Sequence, residues 1–132
     1  MEDIFCPNCK GKLNINGNIV FSVRTVDENV GLIFLKNQPG DYEVVTHPSF
    51  NFEQGELVHF HCPICHKYLA ATDVDEKLVK VHKTDDDGNT LEVLFSGIAG
   101  EHCTYVVKKT KVESYGEDFD KYSGYFHDIV HF

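Results

Sequence analysis

The 132-residue chain has no tryptophan, one methionine, four prolines and a single arginine, Arg24. The shortage of arginine excludes most. Affinity for phosphate backbones comes from lysine and arginine displacing counterions, and here twelve basic residues face twenty-one acidic ones, for a formal charge of −9. That balance argues against nucleic acid and leaves a protein or a small molecule as the partner. It also keeps a small protein soluble. No apolar run approaches the length of a membrane span, so no membrane association is expected. No charged and apolar leader opens the chain, and a reducing, cytoplasmic setting is the expectation. Gly97 and Gly100 are not followed by Gly-Lys-Ser/Thr, and no Ser-His-Asp elbow or pair of catalytic carboxylates is visible. Fingerprints of nucleotide binding and hydrolysis are missing.

What is present is a matched pair of tetrapeptides, Cys6-Pro7-Asn8-Cys9 and Cys62-Pro63-Ile64-Cys65. Leucine follows each at the same offset, as Leu13 and Leu69. Two cysteines so spaced form a short hairpin that turns both sulfurs toward one point, and two such hairpins supply four thiolates to a tetrahedral ion. Cys6, Cys9, Cys62 and Cys65 are thus the expected ligands of one structural Zn²⁺ per chain. Zinc with four thiolates takes the charge to about −11. A redox Cys-x-x-Cys needs a strand-to-helix junction in a βαβ pattern, which surrounds neither copy. Disulfides suit small secreted domains, and the fifth cysteine, Cys103, has no partner left.

The pattern resembles the zinc-ribbon and rubredoxin-like class of four-cysteine sites, over residues 4–13 and 60–69 only. The resemblance implies a zinc ribbon formed by those two stretches. Rubredoxin-type knuckles place glycine after the second cysteine, whereas Lys10 and His66 stand here. That departure favours zinc over an iron electron carrier. Residues 10 to 61 separate the knuckles, far more than a ribbon needs, and read as a β insertion.

Along the chain the period is mostly two. Asn16-Gly17 is a hairpin turn, after which Ile19, Phe21, Val23 and Thr25 share one face of a half-buried strand. Val30 to Leu35 is nearly continuous apolar sequence, suited to a central strand. Gln38-Pro39-Gly40-Asp41 is a turn, and Tyr42 to Thr46 a strand. The loop from His47 to Gly55 carries Phe50 and Phe52 as a folded-back plug. Val58, Phe60 and Cys62 share one strand face, and Leu57, His59 and His61 the other. Leu78 to Lys83 and Leu91 to Ser96 form a hairpin across the acidic turn Asp85–Asn89, which lacks the glycine and glutamate of a calcium loop. Cys103 to Val112 reads as one long strand. Phe119, Tyr122, Phe126, Ile129 and Val130 then recur at helical spacing, which predicts a C-terminal helix.

Eight histidines are many for this length. His59, His61 and His66 crowd the second knuckle, where His59 and His61 are either paired ligands or ordinary polar positions on a solvent face. His127 and His131 would meet on the C-terminal helix but lack the glutamate of a zincin. Cys103 reads as a buried thiol, with His102 pointing to the opposite face.

These readings converge on a mainly β fold, a sandwich or barrel-like single domain over 1–132 of about seven to nine strands, with the zinc ribbon built in. The expected function is that of a non-enzymatic, zinc-binding accessory or interaction protein. The alternative is a metal-dependent enzyme using the histidines beside the second knuckle. The aromatic C-terminal stretch would be anchored on the chain's own core or on a second copy, as in a homodimer.

Overall fold

The computed structural model describes residues 3–108 and 111–122. They form two antiparallel sheets, and the division between them follows the two knuckles. The stretch between the knuckles makes the first sheet: β2 (Asn14–Ile15), β3 (Asn18–Arg24), β4 (Val30–Lys36), β5 (Val44–Thr46) and β6 (His59–His61). The rest makes the second: β1 (Ile4–Phe5), β7 (Ala70–Ala71), β8 (Asp75–Thr84), β9 (Thr90–Ser96), β10 (Thr104–Lys108) and β11 (Lys111–Tyr115). The expected β insertion is therefore a whole sheet.

Alternation builds the interface. Ile19, Phe21 and Val23 are buried along β3, as are Val79 and Val81 on β8 and Leu91 and Val93 on β9. Phe21, Phe60 and Phe95 meet between the sheets with ring centroids 5.2 to 5.6 Å apart. Edge-on and tilted contacts of this kind add to what burial alone contributes. The loop plug is also real: Phe50 is buried, and its ring lies over Gly31 of β4, where a Cβ would come within 2.7 Å of it. A smaller cluster of Leu78, Leu94, Cys103, Tyr105 and Tyr122 covers the outer face of the second sheet.

Turn chemistry is as the residues dictate. Asn16 and Gly17 both take positive φ, 50° and 79°. In the Pro39-Gly40 turn, Gly40 has φ 90° and Asp41 N–H donates to the Gln38 carbonyl at 3.0 Å. Asp85 spends its carboxylate on the turn itself, accepting from the N–H groups of Asp87 and Asn89 at 2.9 and 2.8 Å.

Several expectations need correction. Among the described residues there are eleven strands, and the surplus is largely two-residue strands flanking the knuckles. The sheets do not close into a barrel. β4 lies between β3 and β5 but buries one face only: Ile33 is covered while Val30, Leu32 and Phe34 are exposed. The long strand at 103–112 is two strands, β10 and β11, paired with Lys108 opposite Lys111. No glycine, proline or asparagine announced that reversal. At the predicted C-terminal helix, the described part holds a 3-10 turn, Phe119–Lys121, with Phe119 exposed and Tyr122 buried. Residues 123–132, with His127 and His131, lie outside the described residues.

Candidate metal centre

Each knuckle is a crossover between the sheets. The chain leaves β1 in the second sheet, turns through Cys6 to Cys9, and enters β2 in the first. It later leaves β6 in the first sheet, turns through Cys62 to Cys65, and enters β7 in the second. The two turns are copies of one another. Cys6 N–H donates to the Gly11 carbonyl at 3.0 Å, and Cys62 N–H to the Lys67 carbonyl at 3.0 Å. Lys10 N–H returns to the Cys6 carbonyl at 3.0 Å, and His66 N–H to the Cys62 carbonyl at 2.9 Å. Leu13 pairs back to Ile4, and Leu69 to Phe60, at 2.8 and 2.9 Å. Both leucines are buried under their knuckles, each worth about 1.5–3 kcal/mol of hydrophobic burial.

The crossovers bring the four sulfurs to one point. Donor atoms of Cys6, Cys9, Cys62 and Cys65 all lie within 4.8 Å of one another. Cys6 and Cys65 approach to 3.8 Å across the knuckles, as do Cys9 and Cys62. Four sulfurs at about 2.3 Å from a central ion stand about 3.8 Å apart in a tetrahedron, so the spacing is compatible with a four-cysteine metal site. It is far from a disulfide bond length of about 2.05 Å, and all five cysteines are free.

The surroundings treat these sulfurs as acceptors. Cys6 Sγ accepts from the N–H groups of Asn8 and Cys9 at 3.3 and 3.5 Å, and Cys62 Sγ from those of Ile64 and Cys65 at 3.3 and 3.4 Å. Gly11 N–H points at Cys9 Sγ at 3.4 Å. Burial raises the Cys6 thiol and pushes Cys62 up to about 12. The Asn8 side chain and the Lys67 N–H bring Cys65 down to about 6. Left to themselves, the two buried cysteines keep their protons at neutral pH. A divalent cation is the partner that would let all four ionise together.

Two contributors lie at positions between the cysteines, where residue identity gave no warning. Asn8 reaches across to Cys65 Sγ at 3.6 Å. Ile64 folds the other way, over Gly11, where a Cβ would sit 2.5 Å from Ile64 Cδ1.

The remaining candidates do not join this centre. His59 and His61 project from the outward face of β6, both against Tyr68, with His59 Nδ1 2.9 Å from the Tyr68 hydroxyl. His61 and His66 border a polar hollow with Ser22 and Arg24. Among the described residues, the four cysteines are the one group of three or more His, Cys, Asp or Glu donors close enough to hold an ion. Cys103 is fully buried, and burial pushes its thiol up to about 12. His102 stacks on Tyr42 instead, with Nδ1 3.2 Å from Glu117.

Fold and site define an antiparallel two-sheet protein with a four-cysteine cluster at the corner where the sheets exchange strands. No protein-family model, no curated protein and no solved structure matches the chain. No helix among the described residues is long and apolar enough to cross a membrane.

Proposed function

We propose that Cys6, Cys9, Cys62 and Cys65 hold one structural zinc ion, and that the protein is a non-enzymatic, zinc-stabilised accessory or binding protein. The observation that carries this reading is the complete donor set. Four protein sulfurs at tetrahedral spacing leave no open position, which separates structural from catalytic zinc. Soft thiolates suit zinc among the divalent ions, and zinc brings no redox chemistry.

The ion's place gives it a task. It joins the two crossovers, and so fastens β1 of the second sheet to β6 of the first. The shared core of Phe21, Phe60 and Phe95 supports reading 1–132 as one domain rather than two. Five free thiols suit a reducing compartment such as the cytoplasm. The excess of acidic residues favours a protein or small-molecule partner over nucleic acid.

Elemental analysis with X-ray absorption tests the proposal. We expect about one zinc per chain, with four sulfurs at about 2.3 Å. Visible absorption from iron, or nitrogen and oxygen in the coordination shell, would replace this reading.

A further inference from the structure

Between the two sheets lies a cavity of about 290 Å³. Exposed residues such as Asp41 and Val44 form part of its rim, so it opens to solvent. Its volume is near the lower bound for small-molecule sites. Its walls are apolar: Ile19, Ile33 and Leu35 from the first sheet, Val93 and Phe95 from the second. Phe52 and Phe60 share the lining with these side chains.

One end of the cavity is polar and firmly built. Tyr42 lies parallel to the His102 ring, 4.5 Å away at 5°, and its hydroxyl is 3.0 Å from Thr104 Oγ1. Gly116 backs this pair with φ 95°; a Cβ there would strike the His102 carbonyl at 2.1 Å and the Tyr42 hydroxyl at 2.5 Å. Ser96 lines the same end and donates its hydroxyl to Glu101 at 2.8 Å. The Gln54 amide completes that end against Gly100.

Charged residues at the polar end are engaged by neighbouring side chains. Glu101 holds Lys121 at 3.3 Å and accepts from Tyr122, while His102 is matched by Glu117. Lys83 is close enough to Glu113 to help hold that carboxyl below its ordinary range. Lys36, the last residue of β4, also lines the cavity. Asp41 caps its own turn through Glu43 N–H at 3.1 Å. The cavity thus offers an apolar body and hydroxyl and amide groups at one end, where Glu101 is engaged by Lys121 and His102 by Glu117.

We propose that this cavity binds a small neutral molecule with an apolar body and one hydrogen-bonding end, of the class of medium-chain alcohols and ketones. The site is separate from the cysteine cluster, and the proposal does not depend on which metal that cluster holds.

The test titrates the full chain, with the metal it carries when purified, against 1-hexanol, 1-octanol, 2-octanone and octanoate, following methyl resonances by NMR. We expect saturable shifts for the alcohols and the ketone, centred on Ile19, Ile33, Leu35 and Val93. Octanoate should bind at least tenfold more weakly. Val93→Phe should weaken octanol binding at least tenfold without lowering the melting temperature. If that variant folds poorly, Leu35→Phe, at a partly exposed wall position, should give the same loss. Tyr42→Phe should cost the alcohols several-fold. The proposal fails if no probe gives saturable shifts at these methyls, or if octanoate binds as tightly as octanol. It also fails if both filling variants bind normally, or if binding emerges only when residues 123–132 are deleted, which would assign the cavity to the chain's own segment.

Discussion

Lys10 and His66 hold the same left-handed conformation, with φ 64° and 66°. Each follows the second cysteine of its knuckle and donates its N–H to the carbonyl of the first. Rubredoxin-type knuckles place glycine at this position, and positive φ is the conformation that glycine takes most readily. A side chain in this region costs roughly 1–2 kcal/mol, offset in part by the smaller unfolded-state freedom of a non-glycine residue.

Replacing either residue by glycine should therefore stabilise the protein, by about 0.5–1 kcal/mol. His66→Val should destabilise it, because a β-branched side chain fits this conformation worst. Denaturant melts of the metal-loaded protein read both. A loss of stability in both glycine variants would show that the Lys10 and His66 side chains matter more than their backbone.

Cysteine replacements should separate the cluster from the lone thiol. Cys62→Ser should lose the metal and much of the stability, whereas Cys103→Ser should keep the metal and cost about 1–2 kcal/mol of packing. Asn8→Ala should shorten metal retention against a chelator about tenfold, the usual scale for a group supporting a ligand. Equal metal loss from the Cys62 and Cys103 variants would break the assignment.

His82 sets a pH limit on stability. It lies opposite Phe5 and packs edge-on to its ring at 5.7 Å, with Nδ1 buried and lacking a hydrogen-bond partner among the described residues. Burial holds its pKa below the ordinary 6.5. The folded protein thus resists protonation more than the unfolded chain does. The stability this group supports is complete above pH 6.5 and is lost as the pH falls through the lower folded value. Thermal melts between pH 8 and pH 5 should show His82→Phe losing less stability than the parent. Parallel losses in the two proteins would place the acid sensitivity elsewhere, for instance in the cysteines.

Nucleic acid should not bind at physiological salt. In the β10–β11 hairpin, Lys108 is paired with Glu113 at 2.9 Å, which offsets part of the local positive charge. Anisotropy titrations with single- and double-stranded probes check this. Micromolar affinity that falls steeply with salt would show that local charge outweighs the net charge of −9.

The parts of the fold legible in the sequence were those written in neighbouring residues. The alternation from Ile19 to Thr25, the Asn16-Gly17 turn and the two Cys-x-x-Cys hairpins all recur as read. Burial of one face only of β4 was hidden, because Val30, Leu32 and Phe34 are as apolar as the covered Ile33. Packing against the other sheet, not composition, decides which face is covered. The reversal between β10 and β11 was hidden for the opposite reason, since its residues carry no turn signal. Cysteine spacing pointed to the clustering of four sulfurs, but not to Asn8 reaching Cys65. The cavity could not be read at all, because its walls come from residues such as Ile33 and Val93 that are distant in sequence.

The two crossovers also bear on the order in which the molecule comes apart. Both ends of the first sheet are gathered at one corner, where Cys9 and Cys62 approach to 3.8 Å across 53 positions of chain. An ion held there closes that stretch into a ring, and a ring has far less freedom to gain on opening than a free chain of equal length. The first sheet can then loosen strand by strand from β5, its outer edge, and reclose with its register still anchored at β2 and β6. Loss of the ion turns the same segment into a long open insertion, whose return depends on finding both corners again.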